Sequence, residues 1–310
     1  MMEVVNLTKQ YKQQKVVESV NMYLESGETV GLLGPNGAGK STTISMISSL
    51  VTPTKGDVRL HQESILKNPN KLRKVLGVVP QEIALYSDLS ARENLEFFGR
   101  VHRMKGKILK DKVDEVLKQI GLTDRQKDLV KTFSGGMKRR LNIGIALLHD
   151  PELLIMDEPT VGIDPQSRKY ILETVKRLNR EQNMTILYTS HYMEEVEFLC
   201  DRIYIMDKGD IIASGTQEEI KNILSSEQTI VVVVERLEEA FIQRLKAEPV
   251  IQRVNVVDET VSVVVPKEVH LFSKLFNLAE ETNTVLTSID VQKPSLEDVF
   301  LHLTGRALRD

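Results

Sequence analysis

The sequence contains a single cysteine, Cys200, and no tryptophan among its 310 residues. One cysteine cannot form a disulfide within the chain, and it cannot build a metal site that needs several cysteines. A lone cysteine next to a leucine is typical of a small core residue rather than of a reactive nucleophile. The sequence therefore excludes a disulfide-stabilised scaffold and a multi-cysteine metal protein.

Long hydrophobic runs are also missing. No apolar run approaches the roughly 20 residues that a helix needs to cross a bilayer, and the longest candidates are of strand length, as at residues 230–234. The first residues lack the pattern of a secretory signal peptide. We therefore expect a soluble, cytoplasmic chain that does not itself span the membrane.

Charge of neither sign dominates, since 44 acidic residues stand against 41 lysines and arginines and the net charge is −3. This balance gives no support to nucleic-acid binding. Basic clusters such as residues 105–112 are interpreted as solvated helix faces. Hydrophobic residues make up 41% of the chain, which is enough to bury a sizeable core.

Up to about residue 224, short β-branched runs alternate with longer helical patterns. The runs are residues 30–33, 74–79, 153–156, 185–189 and 202–206. This alternation predicts an α/β fold with a mainly parallel sheet covered by helices. Strand signals vanish between about residues 81 and 150, where apolar residues recur at helical spacing. We assign residues 1–225 to one domain, with a helical subdomain at about 81–150.

A second pattern follows residue 225. It contains strands at residues 229–234, 251–257, 261–265 and 285–291, and helices at 237–247, 269–281 and 295–303. The order βαββαβ predicts a small ferredoxin-like α+β domain over residues 226–310. No catalytic group stands out in it. Its role stays open between an accessory, dimer-stabilising domain and a regulatory ligand site.

The most informative stretch lies between an apolar run and a helical pattern. It consists of Gly34, Pro35, Asn36, Gly37, Ala38, Gly39, Lys40, Ser41 and Thr42. Glycines let successive backbone N–H groups turn around phosphates, and the following helix N-terminus favours an anion. In such a loop the lysine reaches the β and γ phosphates and the serine hydroxyl binds Mg²⁺. We predict a phosphate-binding loop with Lys40 and Ser41 in these two roles.

A second feature is the apolar run at residues 153–156, which ends directly at Asp157 and Glu158. Such a strand ends at the sheet edge where α/β proteins bind ligands. Asp157 is predicted to hold Mg²⁺, directly or through water, and Glu158 to polarise an attacking water. The same pair could simply open a loop and cap a helix, but the phosphate-binding loop upstream favours a functional role.

A third feature is Ser134, Gly135 and Gly136, which precede a helical pattern at residues 141–148. Ser134 can cap that helix. A Ser-Gly-Gly sequence at a helix N-terminus is also a second anion site. One ATP cannot occupy this site and the phosphate-binding loop of the same chain without distortion. Two chains that face each other head to tail can share two ATP molecules in this way.

The ordered motifs resemble those of the ATP-binding cassette (ABC) family over residues 3–224. Residues 34–42 are similar to the Walker A loop, residues 134–137 to the signature and residues 153–158 to Walker B. Single residues at the matching places are Gln81 in the Q-loop, Asp164 in the D-loop, the switch histidine His191 and the adenine-stacking aromatic Tyr11. The chain departs from the common pattern at Phe133 and Met137, where the family signature has Leu and Gln, and at Val161 and Gly162, where the D-loop usually has Ser-Ala.

The resemblance implies a P-loop NTPase in which ATP and Mg²⁺ lie between Walker A and B of one chain and the signature of another. Lys40, Glu158 and His191 would be catalytic, and Ser41, Gln81 and Asp157 would hold Mg²⁺. The nucleotide contacts that the resemblance implies come from Tyr11, Gly34, Pro35, Asn36, Gly37, Ala38, Gly39, Lys40, Ser41, Thr42, Gln81, Ser134, Gly135, Gly136 and Asp164.

The resemblance further implies two cassettes, as a homodimer or a heterodimer, on a separate integral membrane permease. The cassettes would be peripheral at the cytoplasmic face of the cell membrane. The ending at residues 294–305 is similar to the tail of daunorubicin-resistance-type cassettes, and linearmycin-resistance cassettes share the pattern. We therefore expect an ATP-hydrolysing subunit that energises export of a drug, antibiotic or lipid-like amphiphile.

Four other functions remain open at this stage. Sodium-export and polysaccharide-export cassettes share much of the same pattern. Non-transport ABC proteins of translation or DNA repair usually have two cassettes in one chain or a long coiled coil, and this insertion is too short and irregular for extended heptads. A P-loop kinase would leave the Ser-Gly-Gly motif unexplained.

Overall fold

The computed structural model describes residues 1–190, 192–224, 227–292 and 294–305. These residues belong to two compact units, Met1–Thr216 and Gln217–Gly305. No helix within the described ranges has both the length and the apolar character that a membrane span requires.

The first unit is built from strands and helices that alternate along the chain. Its strands are β1 (Met2–Tyr11), β2 (Gln14–Leu24), β3 (Thr29–Leu33), β4 (Lys55–Leu60), β5 (Glu63–Ser64), β6 (Leu76–Val79), β7 (Leu153–Met156), β8 (Thr185–Tyr188), β9 (Arg202–Asp207) and β10 (Asp210–Thr216). Its helices are α1 (Lys40–Ile47), α2 (Pro69–Val75), α3 (Ala91–Val101), α4 (Gly106–Gln119), α5 (Gly135–Leu147), α6 (Pro165–Gln182) and α7 (Met193–Leu199).

The central sheet has the strand order β10-β9-β3-β8-β7-β6. All its pairings are parallel except that of β9 with β10. Strands β3, β7 and β8 are buried along their whole length, as expected where both faces of a parallel sheet are covered. The α/β prediction is confirmed. The carboxyl ends of β3 and β7 lie at the same edge of the sheet, with the end of β8 between them.

A second, antiparallel sheet has the order β2-β1-β4-β5, and the sequence analysis does not predict it. Its side chains should alternate between buried and exposed positions. The pairing of β1 with β2, however, contains register shifts between Val4 and Leu7, between Leu7 and Lys9, and between Lys9 and Gln10. These irregularities interrupt the period of two on which a strand prediction depends.

Two element boundaries also differ from the prediction. The run at residues 74–79 is divided, because α2 begins at Pro69 and takes in Lys74 and Val75 before β6 starts. Proline is favoured in the first turn of a helix. Helix α1 starts at Lys40, within the predicted phosphate-binding loop of residues 34–42, because the left-handed turn that ends the loop lies at Gly39, with a φ of 106°.

Helices α3, α4 and α5 occupy the stretch in which the sequence predicts helices. Helix α3 starts with a capping box, in which Ser90 and Glu93 each accept a hydrogen bond from the other's backbone. Helix α5 packs closely on α4: a Cβ added at Gly144 would lie 3.0 Å from Val116 Cγ1 and 2.8 Å from Ile120 Cδ1. This packing determines the position of α5, and therefore of the Ser-Gly-Gly motif at its start.

The second unit confirms the βαββαβ order. Its elements are α8 (Gln217–Lys221), β11 (Glu227–Val234), α9 (Glu239–Ala247), β12 (Arg253–Val257), β13 (Thr260–Pro266), α10 (Phe272–Glu281), β14 (Leu286–Gln292) and α11 (Leu296–Thr304). The strands pair in the order β12-β13-β11-β14, all antiparallel. This is the ferredoxin-like arrangement. Its core includes Ile230, Val232, Phe241 and Leu245.

Candidate nucleotide site

The loop between β3 and α1 borders an open cavity of about 400 Å³. The walls of the cavity are Val16, Asn36, Gly37, Ala38, Gly39, Lys40, Ser41, Thr42, Gln81, Glu158 and Val161. The structure therefore brings the predicted phosphate-binding loop together with two side chains that lie about 40 and 120 residues further along the chain. Val16 and Val161 are additional wall residues that carry no recognisable sequence signal.

Two glycines of this loop have no room for a side chain. A Cβ added at Gly34 would lie 2.3 Å from Met206 O, and one at Gly39 would lie 2.8 Å from Val16 O. Both contacts are with backbone atoms, which cannot move aside as a flexible side chain can. Glycine is thus required at both positions, because backbone atoms of strands β9 and β2 lie too close to the loop for any side chain. A Cβ at Gly37 would meet nothing within 4 Å, so on that side the loop is open.

Lys40 is buried at the base of the loop. Its Nζ donates hydrogen bonds to Gly34 O at 2.6 Å and to Pro35 O at 3.2 Å. Burial lowers the pKa of Lys40, while the nearby carboxylates of Glu158 and Asp157 act in the opposite direction. An ammonium held by the carbonyls of its own loop lies where a phosphate group would gain most from it.

Asp157 lies at the end of β7, close to the loop. It accepts a hydrogen bond from Thr189 Oγ1 at 2.8 Å, and the Ser41 hydroxyl lies near it. Burial raises the pKa of Asp157, and the neighbouring charge of Glu158 adds to the effect. A carboxylate beside a hydroxyl is a set of hard oxygen donors, which is the kind that Mg²⁺ prefers. These residues therefore fit Mg²⁺.

Glu158 follows with an unusual backbone conformation, a φ of 48° in the left-handed region. This conformation is strained for a residue with a side chain. Glu158 is 7% exposed, and Gln81 Nε2 donates a hydrogen bond to Glu158 Oε2 at 3.1 Å. Gln81 is predicted as a Mg²⁺ ligand; in the structure its amide contacts Glu158.

Thr189 holds the acidic pair in place, and the sequence analysis does not identify it. Its Oγ1 accepts a hydrogen bond from Glu158 N at 2.9 Å while donating to Asp157 Oδ1. One hydroxyl at the end of β8 thus fixes both the backbone of Glu158 and the carboxylate of Asp157. The only sequence signal is that Thr189 is the first residue after a wholly buried strand.

The signature and the D-loop contact each other within one chain. Ser134 Oγ accepts a hydrogen bond from Met137 N and caps α5, as the sequence predicts. Asp164 Oδ1 accepts one from Ser167 N at 2.9 Å and caps α6, and this bond lowers the pKa of Asp164. A Cβ added at Gly136 would lie only 2.1 Å from Ser167 Oγ. Neither cap residue belongs to the cavity wall.

Tyr11 and His191 are the two remaining predicted residues. Tyr11 is the last residue of β1 and is 48% exposed. Lys9 Nζ lies 5.0 Å from the centroid of its ring. Tyr11 does not belong to the cavity wall, and its adenine contact remains a prediction. His191 lies outside the described residues, so its role as the switch histidine stays a prediction.

Glu195 is a buried carboxylate that the sequence analysis does not identify. It is 2% exposed and accepts hydrogen bonds from Thr160 Oγ1 at 2.7 Å, Ser190 Oγ at 2.6 Å and Tyr188 OH at 2.8 Å. Ser190 Oγ in turn accepts one from Tyr192 N at 2.9 Å. Glu195 therefore connects the start of the D-loop to the residues on both sides of position 191.

Three features lie at one edge of the sheet: a phosphate-binding loop, an acidic pair at the end of another parallel strand, and a glutamine that contacts the glutamate. They define a P-loop nucleotide hydrolase. The sequence model of the ABC transporter family matches residues 17–161. The chain belongs to this family, whose ATP-binding subunits hydrolyse ATP to power transport through a separate permease.

Several relatives are similar over nearly the whole chain. The linearmycin resistance ATP-binding protein LnrL of Bacillus subtilis (strain 168) is 49% identical over 312 residues, which cover 100% of both chains. The Nod factor export ATP-binding protein I of Cupriavidus metallidurans is 38% identical, covering 98% of this chain and 97% of the relative. The daunorubicin resistance ATP-binding protein DrrA3 of Streptomyces coeruleorubidus is 33% identical, with coverage of 96% and 93%. The resemblance to resistance cassettes is thus confirmed.

Solved structures agree with this assignment. A dimeric ATP-binding cassette in a post-hydrolysis state, bound to ADP and phosphate, superposes with a TM-score of 0.63 at 28% identity, covering 70% of this chain and 98% of that one. The cassette cbiO1 from Clostridium perfringens, part of the cbiONQ transporter complex, gives a TM-score of 0.66 at 29% identity, with coverage of 71% and 89%. The chain therefore has the nucleotide-binding ABC fold.

Proposed function

We propose that this chain is the ATPase subunit of an exporter that expels an antibiotic, a drug or a lipid-like amphiphile. The observation that carries the proposal is the 49% identity, over the full length of both chains, to a linearmycin resistance ATP-binding protein. The cassette would work as a dimer with Mg²⁺, bound to an integral membrane permease at the cytoplasmic face of the cell membrane. Sodium and polysaccharide export remain as alternatives.

In the proposed reaction, water attacks the γ-phosphorus of ATP and the bond to the bridging oxygen of ADP breaks. Lys40 would donate to the β and γ phosphates, and Ser41, Asp157 and Gln81 would hold Mg²⁺. Bound Mg²⁺ neutralises developing phosphate charge. Glu158 accepts the proton of the attacking water, with its carboxylate oriented by Gln81 across 3.1 Å. His191 is proposed to hold the transferred phosphate group.

The remaining contacts are proposed to come from a second cassette. Ser134, Gly135 and Gly136 lie off the wall of the cavity formed by their own chain. Their helix N-terminus carries backbone N–H groups that favour an anion. A head-to-tail pair would bring this motif onto the ATP of the partner. Tyr11 is proposed to stack on adenine, and Asp164 to lie at the contact between the two cassettes.

An exposed aromatic cluster after the Q-loop supports a permease-docking surface. The ring of Tyr86 lies 4.8 Å from that of Phe97 and 6.1 Å from that of Phe98, measured between centroids. Tyr86 is 48% exposed and Phe97 is 38% exposed. Asn94 fixes the backbone of Tyr86, accepting from its N–H at 2.9 Å and donating to its carbonyl at 3.0 Å. Rigid, half-exposed aromatic groups are typical anchors of protein interfaces.

The permease proposal is tested by capture from native membranes. A tagged Glu158→Gln chain, loaded with ATP and gently solubilised, is expected to retain an integral membrane protein with about six helices. The added substitution Phe97→Asp is expected to lower that recovery at least about 10-fold, because it places a charge in the aromatic contact. Phe198→Asp is the matched control, since Phe198 is 41% exposed on α7. Recovery of soluble partners only, such as ribosomes, would contradict the proposal.

The substrate class is tested in the cell that makes the protein. A strain that carries Glu158→Gln in place of the native chain is expected to become sensitive to at least one amphiphilic antibiotic, because the pump loses its energy source. Growth across an antibiotic panel, with added sodium as a separate condition, gives the answer. Unchanged sensitivity to the whole panel would contradict antibiotic export, and sensitivity to sodium alone would favour the sodium alternative.

We further propose that residues 226–310 form an accessory domain that stabilises the dimer. The described part of this region has its own apolar core around Ile230, Phe241 and Val263, and its sequence contains no glycine-rich phosphate-binding loop. A chain that ends at residue 225 tests the proposal when its ATPase rate, its permease recovery and its ATP-dependent dimer formation are measured separately. A regulatory role would change the rate while leaving dimer formation intact.

A further inference from the structure

Arg139, one turn into helix α5, holds the backbone of the Q-loop. Its Nη1 donates a hydrogen bond to Pro80 O at 2.6 Å, and its Nη2 donates one to Gln81 O at 2.5 Å. The planar guanidinium thus holds two successive peptide carbonyls at once, a geometry that a lysine ammonium cannot reproduce. This contact joins residues that are 58 and 59 positions apart in the chain.

Loss of this contact would be costly, because the buried guanidinium has few other groups that stabilise its charge. Arg139 is 3% exposed, and no carboxylate in the described ranges forms an ion pair with it. Its Nε has no hydrogen-bond partner there either. A buried charge that loses its hydrogen bonds is costly. The two carbonyls are therefore the main groups that keep Arg139 in place, and Arg139 in turn keeps them in place.

The two ends of this contact belong to different parts of the site. Helix α5 begins after the Ser134 cap, so Arg139 lies about 7.5 Å along the helix from Ser134, the first residue of the signature. Gln81, whose carbonyl Arg139 holds, donates its side-chain amide to Glu158 Oε2 at 3.1 Å. If α5 moved by about 1 Å in the direction that carries the peptide of Gln81 away from Glu158, this bond would lengthen beyond hydrogen-bonding distance.

We propose that Arg139 is a positioning residue that makes the alignment of the Glu158 carboxylate depend on the position of the signature helix. It acts through Gln81 and does not belong to the wall of the cavity. Hydrolysis would then be fast only when α5 is seated, as when the signature contacts the partner's ATP. The inference rests on the proposed function, in which Glu158 is the general base.

The test is a double-mutant cycle between Arg139 and Gln81, measured as steady-state ATP hydrolysis by the full chain. Arg139→Met removes the donors and keeps an unbranched side chain of similar length in the buried space. Arg139→Met and Gln81→Ala are each expected to lower kcat about 10-fold. For Arg139→Met the change in KM is expected to stay below about twofold, because this variant loses alignment rather than binding. The double variant is expected to be no slower than either single variant.

Arg140→Met is the matched control, because Arg140 is the next residue on the same helix. Its Nη1 donates to Ile120 O and Gly121 O, both at 3.3 Å, and its guanidinium lies 4.7 Å from the centroid of the Tyr170 ring. It also holds backbone carbonyls, but none in the Q-loop. We expect native kcat for this variant within about twofold, since no contact with Gln81 is lost.

Several outcomes would overturn the inference. A double variant about 100-fold slower than native would show independent effects of the two residues, and native kcat in Arg139→Met would show that the contact is not needed. If Arg139→Met does not fold, Arg139→Lys, which keeps the charge but not the fork, completes the same cycle. Glu158→Gln, measured in parallel, distinguishes failure of the general-base assignment from failure of the positioning role. Unchanged hydrolysis in Glu158→Gln would overturn the assignment of Glu158 as the general base. Loss of hydrolysis in Glu158→Gln, together with independent effects of the Arg139 and Gln81 substitutions, would overturn only the positioning role of Arg139.

Discussion

Glu158→Gln is expected to lower kcat for ATP hydrolysis by about 10²–10³-fold while ATP affinity changes only a few-fold. Glutamine keeps the size of the side chain, so the hydrogen bond from Gln81 and the strained backbone at φ 48° can be retained. It cannot accept a proton from the attacking water. Single-turnover phosphate release and equilibrium binding of a fluorescent ATP analogue separate the two effects. Size-exclusion chromatography with ATP is expected to show accumulation of a dimer.

The control for this substitution is Glu152→Gln. Glu152 directly precedes strand β7, whereas Glu158 follows it, so the same chemical change is made at the opposite end of one strand. Its carboxylate is exposed and lies 3.5 Å from His61 Nε2. Turnover of this variant is expected to be native. Native turnover in Glu158→Gln itself would contradict the assignment of the general base.

Gly136→Ala is expected to lower both thermal stability and ATP hydrolysis. The added Cβ would lie 2.1 Å from Ser167 Oγ and 2.3 Å from Ser167 Cβ, so the signature and the start of α6 must move apart. Overpacking of this kind costs about 1–3 kcal/mol, which in a chain of this size lowers the melting temperature by several degrees. Differential scanning calorimetry and ATPase assays measure the two effects.

Two further variants show whether this contact is the cause. A Cβ at Gly135 would have only Ile163 Cδ1 near it, at 3.7 Å, so Gly135→Ala is expected to melt close to the native temperature. Ser167→Gly removes both atoms that obstruct the Cβ at position 136. In that background, Gly136→Ala is expected to cause little additional loss of stability. An equal loss in the presence and absence of Ser167 would contradict the steric explanation.

Both predictions depend on contacts that are known only from the folded structure. The motifs to which Glu158 and Gly136 belong can, however, be recognised in the sequence. The phosphate-binding loop and the acidic pair after an apolar run are local patterns, and the cavity brings Lys40, Ser41, Gln81 and Glu158 together as the motif order implies. The ferredoxin-like order of the second unit was predictable for the same reason, since its strands and helices are regular and alternate clearly.

The sequence alone therefore determined the class of chemistry, because phosphate binding and water activation depend on residue types at short, characteristic spacings. The tertiary structure alone decided which residues hold those groups in place. Thr189 and Arg139 each hold a partner that is from 31 to 59 positions away in the chain, and Ser167 leaves no room for a side chain at Gly136, 31 positions away. No local period or spacing encodes such a pair. It arises only when strands and helices pack, which brings a single hydroxyl or guanidinium within 3 Å of its partner.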